Sequence, residues 1–127
     1  LGVEKLDVTS CDTLIALSAS GVTPYTCAAV DAAARTGALT VGIANNDGSA
    51  LLAKVEIAIP ILTGAEAVAG STRLKAATAQ KICLNMISTL VMTRLGYVRD
   101  GQMIAMKPSN AKLRARYDRI HGGGDGD

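Results

Sequence analysis

Apolar positions along this chain fall first into short solid runs separated by turn chemistry, then into one long stretch, and last into a sparse amphipathic pattern. The run Thr13-Leu14-Ile15-Ala16-Leu17, from Asp12 to Leu17, has no polar interruption and predicts a strand buried on both faces. Pro24 to Thr36 is rich in alanine and predicts a helix, with Gly37 as its stop. Leu39-Thr40-Val41-Gly42-Ile43 predicts a second buried strand. The turn cluster Asn45-Asn46-Asp47-Gly48-Ser49 follows it, with Ser49 placed to cap a short helix through Lys54. Glu56 to Ile61 predicts a third strand, in which Pro60 marks an end or an edge position. Strand, helix, strand, helix, strand is the signature of a parallel sheet with right-handed crossovers and flanking helices, so the fold class is α/β.

Beyond the third strand the pattern changes. Thr63 to Gly70 reads as a long loop, and Ser71 or Thr72 opens the longest helix, running to about Leu95. Its centre, Ile82 to Met92, is apolar on nearly every side, which predicts burial against the sheet or a partner. Its first turns carry Arg73, Lys75 and Lys81, positive charge at the positive end of the helix dipole. A bound anion would remove that conflict; the alternative is that the long side chains only reach solvent. Gly96 ends the helix, Met103 to Met106 is a short apolar piece, and Pro108-Ser109-Asn110 leads into an amphipathic helix from Ala111 to about Ile120. Residues 121–127, mostly Gly and Asp, have nothing to bury and are predicted to be disordered.

Candidate chemistry centres on Leu17-Ser18-Ala19-Ser20-Gly21-Val22-Thr23-Pro24, which leaves the first strand and opens the first helix. Gly21 suits a tight turn, Pro24 suits the first helical position, and Thr23 is placed to cap. Free amides backed by the helix dipole favour an anion, to which Ser18, Ser20 and Thr23 can donate, with the backbone N–H groups of Gly21 and Val22 assisting. An ordinary turn that uses its serines only as caps is the competing reading.

Composition narrows the rest. A chain of 127 residues that is 49% hydrophobic is one domain's worth with a real core. Without Trp or Phe, that core is built from Ala, Val, Ile, Leu and Met, which suits helices packed closely on a sheet. The net charge of +2 is small, and the late basic residues Lys107, Lys112, Arg114, Arg116 and Arg119 have only Tyr117 as an aromatic neighbour. They read as a solvated helix face rather than a nucleic-acid surface. Cys11, Cys27 and Cys83 are odd in number and widely spaced, forming neither a metal pattern nor a disulfide framework, which fits a reducing cytoplasm. No basic-then-apolar signal opens the chain, and the apolar region Ile82 to Val91 is too short to span a bilayer.

Four motifs, taken in order, carry a resemblance. Ser18-Ala19-Ser20-Gly21-Val22-Thr23-Pro24-Tyr25-Thr26, the segment from Gly37 to Asn46, Gly64-Ala65-Glu66, and the segment from Gly70 to Lys81 closely resemble the sugar isomerase (SIS) domain of the N-acetylmuramic acid 6-phosphate etherases. The likeness continues through Leu84-Asn85-Met86-Ile87-Ser88-Thr89 and Asn110-Ala111-Lys112-Leu113, covering residues 1–120 and leaving out the tail. It implies a doubly wound, flavodoxin- or Rossmann-like sheet that binds a sugar 6-phosphate at the carboxyl ends of its strands. It also implies a lyase of peptidoglycan sugar recycling, without metal or cofactor, that turns N-acetylmuramic acid 6-phosphate into N-acetylglucosamine 6-phosphate and D-lactate. In the family a first glycine- and serine-rich phosphate loop, the first strands and the glutamates usually assigned as acid and base lie upstream of the segment seen here. The chain therefore resembles the carboxyl-terminal part of the domain and is expected to be inactive alone; a non-catalytic phosphosugar-binding module is the alternative. Asp47 stands where the family usually has proline, and Ala77 where it usually has glycine. Ser71, Thr72, Arg73 and Lys75 join the candidate phosphosugar residues on this basis. Glu66 is the candidate catalytic residue, because in the wider sugar isomerase families a glutamate ahead of a similar Ser-Thr-basic sequence serves as the base. A homodimer is expected from the unpaired sheet edges and the long apolar helix.

Overall fold

The three apolar runs become the sheet. In the computed structural model, which describes residues 6–122, they form β1 (Thr13–Ser18), β2 (Leu39–Ala44) and β3 (Ile57–Pro60), hydrogen-bonded in that order and parallel. Ser18 lies opposite Ala44, and Ala44 opposite Pro60, so the three strands stop level with one another. The loops leaving them consequently emerge along a single edge, the place where open α/β sheets bind ligands. β2 is central and buried from Thr40 to Ala44, whereas β3 is an exposed edge, where the missing N–H of Pro60 is tolerated.

Two helical crossovers supply the cover. The helix α1 (Pro24–Arg35) buries Ala29, Val30, Ala32 and Ala33, and the short α2 (Ala50–Lys54) buries Leu51 and Leu52. Ala16, Val30 and Leu51 form the centre of the core, with Leu14, Cys27 and Val55 packed against it. Full burial of a Val or Leu side chain stabilises by about 1.5–3 kcal/mol, so these few contacts outweigh the exposed Lys54–Asp31 ion pair that also ties α2 to α1. Gly42 makes room on the central strand: a Cβ there would stand 2.9 Å from a methyl of Val55. The predicted stop at Gly37 is present, its N–H donating to the Ala34 carbonyl at 3.1 Å with a φ of 78°.

The long helix α3 (Lys75–Arg94) begins later than Ser71 or Thr72, which lie in the turns ahead of it. Its centre is not buried as the pattern predicts: Ile82, Met86 and Leu90 are all more than half exposed, and Ala76 is the buried residue of the helix. An all-round apolar helix needs cover on every side, and within the described residues only Ala76 is buried, while Ala79, Gln80, Cys83, Leu84 and Ile87 are half-buried.

The structure divides into two compact units between Cys83 and Leu84. The second contains an antiparallel hairpin of β4 (Val98–Arg99) and β5 (Gln102–Met103), where only a short apolar piece is expected. Asp100 and Gly101 form its turn, both at positive φ, which is the Asp-Gly hairpin signal in the sequence. The last helix, α4 (Ala111–His121), is capped by the Asn110 side chain, which accepts from the Leu113 N–H at 2.9 Å. His121, predicted to open the disordered tail, instead ends this helix. Its ring stacks on Tyr117 and its Nδ1 lies 3.0 Å from the Tyr117 carbonyl, at a helix end that favours a basic side chain. The remainder of the predicted tail, residues 123–127, lies outside the described residues. Among those described, no helix is long and apolar enough to cross a membrane.

Candidate anion-binding site

β1 delivers Ser18 to the carboxyl edge of the sheet, and six residues later α1 begins. Gly21 turns the chain at a φ of 68°, and its N–H donates to both the carbonyl and the Oγ of Ser18, at 3.1 and 3.0 Å. Ser18 Oγ lies 2.8 Å from Thr23 Oγ1 and 3.4 Å from Ser20 Oγ, which draws the three hydroxyls into one cluster. Three hydroxyls carry three protons, and two mutual contacts use at most two of them. One donor is therefore left over, whichever way the protons are arranged. Ser18 is buried while Ser20 and Thr23 are exposed, so the cluster opens toward solvent on the side away from the sheet.

Three sequence expectations change here. Thr23 occupies the N-cap position, but its hydroxyl is turned to Ser18 and does not cap α1, leaving the amides of the first turn without that partner. The Gly21 and Val22 N–H groups are engaged within the loop, the latter with Ser20 Oγ at 3.4 Å, rather than presented outward. Ser49 likewise makes no side-chain cap on α2. Its Oγ is buried without a partner and sits where a Cβ on Gly21 would fall, so residue 21 must be glycine for space as well as for dihedral angle.

A second group gathers at the start of α3. Glu66 Oε2 accepts the Lys75 N–H and Oε1 the Ala76 N–H, each at 2.9 Å. These two bonds, Ala76 first, hold the carboxyl below the ordinary carboxylate range; partial burial opposes them and the Lys75 charge assists them. The carboxylate selects residue 75 as the helix start, and the anion implied by the basic first turns is supplied by the chain itself. Arg73 and Lys75 line an open, largely apolar cleft of about 590 Å³ with Thr63, Leu74, Thr78, Ala79 and Ile82. Ser71 and Thr72 serve the preceding turns through their backbones, the Ser71 N–H bonding the Val68 carbonyl and the Thr72 carbonyl accepting from Ala77. Among the described residues their hydroxyls join neither group.

The structure thus unites Ser18, Ser20, Gly21 and Thr23, and separately Glu66, Arg73 and Lys75. Sequence reasoning missed the link between these groups. Asn45, just beyond β2, donates its N–H to the Ala19 carbonyl at 3.1 Å and its Nδ2 to the Ile61 carbonyl at 2.9 Å, and its Oδ1 accepts from Gln80 Nε2 at 2.8 Å. Both residues lie inside the motifs that carry the resemblance, but a turn-forming Asn and a helical Gln give no signal of a shared bond.

Parallel strands ending level, with a hydroxyl-rich turn leading into a helix start, define an α/β segment with a candidate anion site at its carboxyl edge. No family model matches the chain. Individual relatives do: it is 52% identical over 118 residues to the N-acetylmuramic acid 6-phosphate etherase of Streptomyces coelicolor, 93% of this chain and 38% of that protein. The protein of the same name from Deinococcus radiodurans is 47% identical over 93% of the chain and 39% of its own length. That from Bacillus subtilis is 44% identical over 90% of the chain and 38% of its own length. Over this segment the chain is similar to the N-acetylmuramic acid 6-phosphate etherases, and it spans 38 to 39% of the length of these relatives.

Proposed function

We propose that this chain seats the 6-phosphate of N-acetylmuramic acid 6-phosphate in a lyase that cleaves the D-lactyl ether, as part of peptidoglycan sugar recycling in the cytoplasm. The observation that carries the reading is the convergence of the Ser18, Ser20 and Thr23 hydroxyls beside an uncapped helix start. A phosphate there accepts from the hydroxyls and lies at the positive end of the α1 dipole. Arg73 and Lys75, on the cleft at α3, add positive charge for the rest of the substrate, and Ser71 and Thr72 shape the turn that presents them.

The reaction opens the sugar to its aldehyde, which acidifies the C2 proton. A carboxylate removes that proton, lactate leaves C3 as an acid protonates the ether oxygen, and water adds across the resulting double bond to give N-acetylglucosamine 6-phosphate. Neither metal nor cofactor is needed for these steps. Glu66 fits poorly as the base, since both its oxygens already accept amide N–H groups and its pKa is held down. It is a positioning residue for α3, and the acid and base are assigned to glutamates outside these 127 residues.

Replacing Ser20 with Ala tests the phosphate seat. Loss of a hydroxyl donor to a charged oxygen lowers affinity for N-acetylglucosamine 6-phosphate by roughly ten- to a hundredfold and leaves unphosphorylated N-acetylglucosamine unaffected. Equal losses for both ligands would remove the phosphate seat. A homodimer accompanies this reading, because Met86, Leu90 and Val91 of α3 are exposed apolar side chains of a kind that self-association covers. Sedimentation of the chain as a stable monomer at micromolar concentration would count against it.

A further inference from the structure

We infer that Asn45 and Gln80 are a positioning pair, which fixes the start of α3 against the hydroxyl loop and so sets the spacing between a bound phosphate and the remainder of its sugar. The second half of that statement rests on the phosphate-binding reading above; the first does not.

The direction of each bond follows from chemistry. The Ile61 carbonyl can only accept, so Asn45 must turn its Nδ2 toward it. Asn45 Oδ1 is then left facing Gln80, which must present its own NH2. Neither amide can flip without placing two acceptors or two donors together. Ile61 is itself held, its N–H donating to the Ala44 carbonyl at 2.8 Å, and the Asn45 N–H holds Ala19 in the hydroxyl loop. One asparagine therefore touches the segments leaving β1 and β3 and, through Gln80, the first turns of α3.

Gln80 lies five residues beyond the first helical residue, Lys75, about one and a half turns along the helix. The Glu66 carboxylate grips the amides at the very start. A helix held at its tip alone could still swing about that point. The second attachment, to a residue anchored on the sheet, removes this freedom and fixes where Arg73 and Lys75 stand. Asn45 and Gln80 are both half-buried, so their bond is only partly exposed to competition from water.

The test is amide hydrogen exchange on the whole chain, paired with calorimetric binding of inorganic phosphate and of N-acetylglucosamine 6-phosphate. Gln80→Ala is expected to speed exchange at the Lys75 and Ala76 amides by about five- to tenfold, the loss expected for one hydrogen bond, while Gly21 and Val22 exchange as before. Gln80→Glu keeps the side-chain size but sets a carboxylate against Asn45 Oδ1, and it is expected to show the same pattern. Both variants are expected to bind inorganic phosphate normally and the phosphosugar several-fold more weakly. Unchanged exchange at Lys75 and Ala76, or equal acceleration at Gly21 and Val22, would overturn the pair. A wild-type chain that binds neither ligand would overturn the phosphate seat instead, and the exchange pattern would still decide the pair.

Discussion

The starts of α1 and α3 meet the same physical demand by opposite means. Each exposes unsatisfied amides at the positive end of a helix dipole, where negative charge is favoured. At α3 the chain meets that demand itself: Glu66, nine residues upstream of Lys75, places one oxygen on each of two amides. At α1 the residue in the capping position turns away, bonding Ser18 instead, and no acidic residue lies in the first turn. A charged side chain stands at one start and neutral hydroxyls at the other, and under the reading proposed above the second is where an outside anion is welcome. The basic residues mark the helix that already has its anion, and the serines mark the one that does not.

The largest effect expected from probing this contrast is at Gly21. An alanine there must hold a positive φ and displace the Ser49 side chain, a combined cost of roughly 2 to 5 kcal/mol in chemical denaturation. Gly48 is the control, because it shares the positive φ but a Cβ there meets nothing within 4 Å. Its alanine variant is expected to cost only about 1 kcal/mol. Equal costs at the two positions would mean that the hydroxyl loop is not packed on Ser49.

Glu66→Gln comes next and separates a helix cap from a catalytic base. Since the carboxyl is held below its ordinary range in the folded chain, the stabilisation it gives is complete above the ordinary carboxylate pKa and fades as pH falls through the lowered one. Protection of the Lys75 and Ala76 amides, after correction for the intrinsic pH dependence of exchange, is expected to fall with acid in the wild type and to lack that dependence in the variant. Lactate release, measured with the upstream part of an etherase supplied to the chain, is expected under the reading proposed above to fall only mildly. A loss of about a hundredfold or more would restore Glu66 as the general base. The smallest effect is expected from Arg73→Ala, an exposed charge whose removal weakens the phosphosugar by about two- to fivefold, read as a reduced thermal shift on ligand addition. An unchanged shift would place Arg73 in solvent only.

Much of the first unit is legible in the residues, because its elements are short and punctuated. Gly37 stops α1 where a glycine with freedom to take positive φ is needed, and the unbroken run Leu39 to Ile43 can only be a buried strand. The convergence of Ser18, Ser20 and Thr23 is likewise implied by their spacing around Gly21. What resists reading depends on partners distant in sequence. Glu66 resembles a loop carboxylate until Lys75 and Ala76 fold beneath it, and Thr23 resembles a cap until Ser18 competes for its hydroxyl. The same holds for Asn45 and Gln80, thirty-five positions apart. The apolar centre of α3 fails differently. Hydrophobicity there predicts a need for cover without saying what provides it, and Met86 and Leu90 remain exposed.

Gly42 and Val55 carry a consequence for how this sequence can drift. The hydrogen of Gly42 leaves a space that the Val55 methyls enter, so a side chain at one position excludes the branched side chain at the other. The two sites are in effect a single heritable choice. Gly42→Ala alone would be purged as an overpacked core, and Val55→Ala alone as a hollow one, while the double replacement offsets part of the volume change and can pass. Lineages descending from a common ancestor should therefore change these positions together or leave both alone.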